Sequence, residues 1–216
     1  MGSTQVFRQT AEERDVRWQI VAAFERAAAV VLFAAALPLL VVSGLAIAWQ
    51  SRRSPWIAHK RVGWRGSALW MLKLRTMWDE RERSKGWIEY VDDSEGPGLK
   101  RRDDPRVASR FAQFCRRHSI DELPQLWHVI QGEMSLVGPR PMPLAELRRY
   151  YGEDAEEILQ IRPGLAGLWQ TSGRNRLTYS ERRQLDLRWV RQRSVGMYAS
   201  ILLRTIPEVW RGENSW

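Results

Sequence analysis

The chain has 216 residues, 34 of them Lys or Arg against 25 Asp or Glu, for a net charge of +9. That length suits one domain with a real core, and the charge selects anionic partners: nucleic acid, anionic lipid or a phosphorylated small molecule. The lone Cys115 excludes an intrachain disulfide, suits a reducing compartment and reads as a small packing residue rather than a catalytic thiol.

From Ala27 to Trp49 the chain is apolar and uncharged for about 23 residues, enough to span a bilayer. The run is too long, and its lead-in too acidic, for a signal peptide. Arg14, Arg17 and Arg26 precede it and Arg52, Arg53, Lys60 and Arg61 follow it, so both flanks carry the mark of the cytoplasmic side. Pro38 stands in the middle, where it removes a backbone hydrogen bond and crowds the preceding turn. Two readings follow: a single span with a tolerated proline, or a proline-broken helix that enters and leaves by one face. The flanks favour the second. The 12 Trp outnumber Tyr and Phe combined, a bias that suits either a membrane–water interface or a Trp-rich core.

Next come two short apolar runs around Gly63-Trp-Arg-Gly66, the pattern of a β-hairpin, ending in Lys73-Leu-Arg75-Thr-Met77. Asp79 to Lys100 is charged and contains Gly86, Gly96, Pro97 and Gly98, which predicts a helix fragment followed by a loop. Val107, Phe111, Phe114 and Cys115 have helical spacing over 107–117, and so do Leu123, Leu126, Trp127 and Ile130, with Gly132 as C-terminal cap. Residues 144–160 are helix-patterned and acidic. Residues 162–174 are Gly-rich, and the apolar segment 197–210 is too short to span and suits the plane of a membrane interface.

Asp121 and Glu122 fall at the start of the 123–131 helix, where about half a unit of positive charge favours anions, and Pro124 is tolerated only in that first turn. Ser119-Ile-Asp-Glu122 is also a capping-box pattern, in which Glu122 only bonds back to a backbone N–H. The surrounding cations argue for more than a cap: Arg116 and Arg117 upstream, Arg140 inside a rigid Pro139-Arg-Pro141, and the Lys73/Arg75 motif. An ionised carboxylate among cations can attack phosphorus and split a transfer between two anions into two easier steps. Mg²⁺, held by one carboxylate plus phosphate oxygens, would neutralise a diphosphate.

These motifs resemble those of the bacterial sugar transferases, the monotopic phosphoglycosyl transferases. They load a sugar phosphate onto a polyprenyl phosphate. The likeness rests on Asp121-Glu-Leu-Pro124, Gly138-Pro-Arg-Pro141, Lys73-x-Arg75-Thr-Met77, Arg102-Asp-Asp-Pro-Arg106 and Pro163-Gly-Leu-Ala-Gly167-x-x-Gln170, and runs from about Ala27 to the C-terminus. It implies Asp121 as nucleophile, Glu122 as metal partner, Arg116 and Arg140 as phosphate binders, and Asp186 as a position near the site. Lys73 and Arg75 are grouped with the phosphate binders.

The implied architecture is α+β and mostly helical: a single monotopic membrane domain with a re-entrant N-terminal helix broken at Pro38, a small hairpin and interfacial helices. Leu37 departs from the Ser that often precedes the family's proline, and His59 replaces a common Gln. Residues 1–26 form an N-terminal cytoplasmic segment, 27–50 the membrane helix and 51–216 the catalytic domain. The implied substrates are a nucleotide diphosphosugar, such as a UDP-sugar, and undecaprenyl phosphate, in exopolysaccharide synthesis. The implied place is the cytoplasmic face of the bacterial inner membrane, against inner-leaflet lipid. Oligomeric state is left open. The alternatives are a non-catalytic basic membrane-anchored binding protein and a conventional glycosyltransferase. No helix-turn-helix, RNA-binding, zinc, Gly-rich dinucleotide or Asp-x-Asp pattern supports nucleic-acid binding or the second enzyme class.

Overall fold

The computed structural model describes residues 15–77, 86–94, 106–107, 109–173 and 176–211. Most of the 79–100 stretch, most of the Arg102–Arg106 element and Arg174 lie outside them.

Asp15 caps the first helix, its side chain accepting from Arg17 N at 2.9 Å. This helix, α1, runs over Val16–Ser51 and is about 54 Å long at the usual rise. It continues through Pro38 without interruption, so the expected break there is absent from the hydrogen-bonded helix. A proline costs one backbone bond, and the turns on either side carry the helix across it. Two patches of α1 are buried against the rest of the chain: Glu25 and Ala29 near one end, and Leu40, Ser43, Gly44 and Ile47 near the other. Its remaining apolar surface faces outward, with Val31, Val42 and Leu45 all more than 60% exposed. It is the one described helix long and apolar enough to cross a membrane.

The hairpin forms as its pattern predicts. β1 (Trp56–Val62) pairs antiparallel with β2 (Ala68–Leu74), from Trp56 opposite Leu74 to Val62 opposite Ala68, around a 3-10 turn at Trp64–Gly66. A third strand, β3 (Ile88–Val91), lies parallel on the far side of β1, giving the order β2-β1-β3. This strand falls where a helix fragment and loop were expected; Ile88, Tyr90 and Val91 are β-formers that gain a ladder only from distant β1.

Helix α2 (Arg110–Arg117) is capped by Ser109, which accepts from Ala112 N at 3.0 Å. The dyad segment is a 3-10 helix, Ile120–Gln125, leading into a short α3 (Leu126–Gln131) that Gly132 ends in the left-handed region. Beyond it, β4 (Ser135–Val137) pairs in parallel with β5 (Gly164–Ala166), a two-stranded unit not expected from the sequence. The predicted 144–160 helix divides into α4 (Leu144–Tyr151) and α5 (Ala155–Ile158), because Gly152 turns the chain at φ 52°. α6 (Tyr179–Gln192) and α7 (Val195–Arg211) complete the fold.

The main core gathers Ala29 of α1, Met71 of β2, Val129 of α3, Met134, Trp189 of α6 and Ile201 of α7, all nearly inaccessible. A second cluster joins Leu40 and Ile47 of α1 to Leu74, Cys115 and Ile120. Among the tryptophans, Trp189 is buried in the core, while Trp49, Trp87 and Trp210 are more than 80% exposed.

Candidate active site

The site begins with an unusual backbone. Ser119 stands in the left-handed region at φ 56° and makes no side-chain cap bond. A capping box therefore does not form here. The box that does form joins Thr178 and Glu181 at the start of α6. Freed from that duty, the Glu122 carboxylate turns toward two cations. Lys73 Nζ, near the end of β2, and Arg140 Nη2 both donate to Glu122 Oε1, at 2.9 and 2.7 Å.

Burial alone would raise the Glu122 pKa, but Arg140 and Lys73 outweigh it and hold the carboxylate well below its usual range. The charge of Glu122, with lesser help from Asp121 and Glu146, raises the Arg140 pKa in return. Asp121 is nearly buried, and close enough to Cys115 that its charge adds to burial in pushing that thiol up to about 11. Cys115 itself is buried in the cluster with Leu74 and Ile120, which suits a packing residue.

The aim of Arg140 comes from two crossing backbones. Gly138 N donates to Ala166 O and Gly164 N donates to Pro139 O, each at 2.9 Å. At this crossing a Cβ on Gly164 would stand 1.9 Å from Gly138 N, and one on Gly138 would stand 2.4 Å from Arg162 O. The Gly-Pro-Arg-Pro and Pro-Gly-Leu-Ala-Gly motifs are thus two halves of one support. Sequence alone shows both motifs but not that they touch.

The bacterial sugar transferase family model matches residues 16–212. The chain belongs to the bacterial sugar transferase family. Among its relatives, an Erwinia amylovora UDP-galactose-lipid carrier transferase is 36% identical over 200 residues, covering 89% of this chain and 41% of that protein. An exopolysaccharide production protein of Sinorhizobium fredii is 37% identical, covering 89% of this chain and 86% of its own. A Salmonella typhimurium undecaprenyl-phosphate galactose phosphotransferase is 36% identical over 73% of this chain and 34% of its own length. The chain thus spans less than half of the longer relatives.

This bacterial sugar transferase brings together Asp121, Glu122, Lys73 and Arg140, but not every residue grouped with them. Arg75, expected at phosphate, is nearly inaccessible; its Nε donates to Ser54 O at 2.8 Å and its Nη2 to Glu89 Oε2 at 2.5 Å. It lies one residue past the end of β2 and ties that end to the chain before β1 and to β3: although it stands two residues from Lys73, its guanidinium is taken up by Ser54 O and Glu89 rather than by Glu122. Arg116, at the end of α2, is half-buried with no side-chain ion pair among the described residues.

Asp186 is fully buried in α6 and accepts from Tyr151 Oη at 2.7 Å, its pKa pushed up to about 7 by burial. It braces α6 against α4. Glu133 meets His128: His128 Nδ1 lies 2.6 Å from Glu133 Oε2. The other ring nitrogen, Nε2, faces Leu72 N at 3.1 Å. Neither contact of His128 carries a motif that sequence reading detects.

No group of three or more His, Cys, Asp or Glu side chains suited to a metal occurs among the described residues. The donor set nevertheless fits Mg²⁺ of the sparse kind, which takes one or two carboxylates and completes its shell with phosphate oxygens and water. Lys73 and Arg140 occupy Glu122 Oε1 alone.

Proposed function

We propose that this protein transfers a sugar 1-phosphate from a nucleotide diphosphosugar, a UDP-sugar by analogy with its relatives' names, to undecaprenyl phosphate. The observation that carries this reading is the convergence of Lys73 and Arg140 on one oxygen of Glu122, beside Asp121. Two cations and two carboxylates, partly or wholly buried, form a receptor for a diphosphate, whose negative oxygens would take over the donors now spent on Glu122.

The Asp121 carboxylate oxygen attacks the phosphorus bearing the sugar. A P–O bond of the diphosphate breaks, and the nucleoside monophosphate leaves with the bridging oxygen. An oxygen of the polyprenyl phosphate then attacks the aspartyl-linked phosphorus, forming the polyprenyl diphosphosugar and restoring Asp121. Lys73 and Arg140 offset the charge of the two phosphates and hold them in line. Arg116 stands available to a phosphate at the end of α2. Mg²⁺, held by Glu122 with Asp121 nearby, would supply further neutralisation of the diphosphate.

The acceptor's lipid tail needs a membrane, and the outward apolar face of α1 supports one. Glu25 near one end and Ile47 near the other are both buried against the same body of chain. The basic residues on both flanks of the apolar run support a helix seated from the cytoplasmic side, with the catalytic residues on that face; re-entry would require α1 to bend at Pro38 within the membrane. The test is a panel of nucleotide sugars incubated with undecaprenyl phosphate, membrane-embedded protein and Mg²⁺. Release of nucleoside monophosphate is the expected product; release of nucleoside diphosphate would mean a conventional glycosyltransferase and end this reading.

A further inference from the structure

We infer that His128, held by Glu133, is a positioning residue that caps the open edge of β2 and thereby fixes Lys73 against Glu122. Its catalytic consequence rests on the function proposed above; its structural basis does not.

In the order β2-β1-β3, β2 is an outer strand, and every second N–H on such a strand lacks a ladder partner. Leu72 N is one of these, and it donates to His128 Nε2 at 3.1 Å. An amide held by His128 points away from β1, so Leu72 and Ala58 form a non-hydrogen-bonded pair of the antiparallel ladder. The next pair, Lys73 with Ile57, is then a hydrogen-bonded one, with the Lys73 backbone directed at β1. Lys73 is therefore gripped from both sides: its own backbone by β1, and the preceding amide by His128. From that position its Nζ reaches Glu122 Oε1 at 2.9 Å.

The grip requires a lone pair on Nε2. A ring nitrogen that accepts carries no proton, so the imidazole hydrogen resides on Nδ1, where Glu133 Oε2 receives it at 2.6 Å. Glu133 thus selects the tautomer able to hold β2. The imidazole is buried whereas Glu133 is 54% exposed, so the orienting carboxylate is open to substitution without disturbing the core. Other cations border the end of α3 without replacing this contact: Arg162 Nε donates to Gly132 O at 2.9 Å, and the Arg26 guanidinium packs against Gly132.

Three variants of the full chain in membranes test the inference: His128→Leu, His128→Gln and Glu133→Ala. Each is read by amide hydrogen exchange over β2, nucleoside monophosphate release and melting temperature. His128→Leu should speed exchange at Leu72 and lower kcat/KM about tenfold. The Gln amide oxygen reaches about as far as Nε2, so His128→Gln should restore both readouts to within about threefold. Glu133→Ala should leave the melting temperature near wild type while costing about two- to fivefold in kcat/KM.

Wild-type exchange and activity in folded His128→Leu would overturn the inference. So would a Gln variant as impaired as the Leu variant, since the ring's packing and not its lone pair would then matter. If His128→Leu fails to fold, a Glu133→Ala protein with wild-type exchange and activity overturns it instead. A wild-type protein that releases no nucleoside monophosphate refutes the functional reading and with it any catalytic service of His128; an active wild type with unaffected variants refutes this inference alone.

Discussion

Lys73 and Arg140 share a single oxygen of Glu122 and leave Asp121 as the adjacent carboxylate, so conservative changes at these side chains separate their roles. Asp121→Asn should abolish nucleoside monophosphate release, because an amide forms no acyl-phosphate; near wild-type turnover would remove the covalent step. Arg140→Lys keeps the charge but loses the planar fork, and a charge-assisted hydrogen bond is worth about 1.5–3 kcal/mol, or a ten- to hundredfold loss in kcat/KM. Melting temperature measured on the same variant should stay close to wild type; a large drop matched by a merely proportional activity loss would make Arg140 structural. Asp186 behaves oppositely to Glu122, for burial outweighs the Tyr151 hydrogen bond and the Arg182 charge and raises its pKa to about 7. The folded protein then holds that proton when the unfolded chain has released it. Stability contributed at Asp186 is accordingly full below about pH 4, falls as pH rises toward 7 and is level above that, by about 4 kcal/mol at most. Asp186→Asn should flatten the decline in melting temperature between pH 5 and pH 8, and an unchanged slope would contradict the burial argument.

At the scale of elements, what sequence shows and what it hides follows the range of the interactions. The β1–β2 hairpin and the cap at Gly132 are local patterns that form where their residues predict, whereas the dyad falls in a 3-10 helix over Ile120–Gln125 and not at the first turn of an α-helix, which starts only at Leu126. β3, β4 and β5 are strands of only 3 or 4 residues whose partners are remote in sequence, so no periodicity announces them. Arg75 shares a motif with Lys73, but it lies past the end of β2 and Ser54 and Glu89, brought in by the folded sheet, take up its guanidinium. Ser119 matched a capping box letter for letter and missed in conformation, since a left-handed residue aims its side chain away from the helix start. The β4–β5 crossing also makes a sharp prediction. Gly164→Ala puts a methyl into Gly138 backbone, so folded yield should collapse, whereas Gly196→Ala, with open space around it, should be tolerated. Equal yields of the two variants would show that the crossing is not close-packed.

The whole molecule is organised around α1, which is buried at both ends against the same body and apolar outside. Cysteines placed at Arg17 and Arg52, both exposed, should react with impermeant reagents only from the cytoplasmic side; labelling of either from outside the cell would replace the re-entrant helix with a spanning one. The contact that joins α1 to the rest also bears on how the protein is made. Glu25 Oε1 accepts from Ser135 Oγ, Leu136 N and Tyr198 Oη, at 2.5, 2.9 and 2.7 Å. Synthesis proceeds from the N-terminus, so Glu25 leaves the ribosome more than a hundred residues before the first of those donors. Until they arrive the carboxylate has only water for a partner, which it can find at headgroup level but not in hydrocarbon. In the proposed membrane setting, the nascent helix is expected to keep Glu25 at headgroup level until β4 and α7 close over it. Membrane seating and maturation of the strand that leads to Arg140 are, on this account, one event in time.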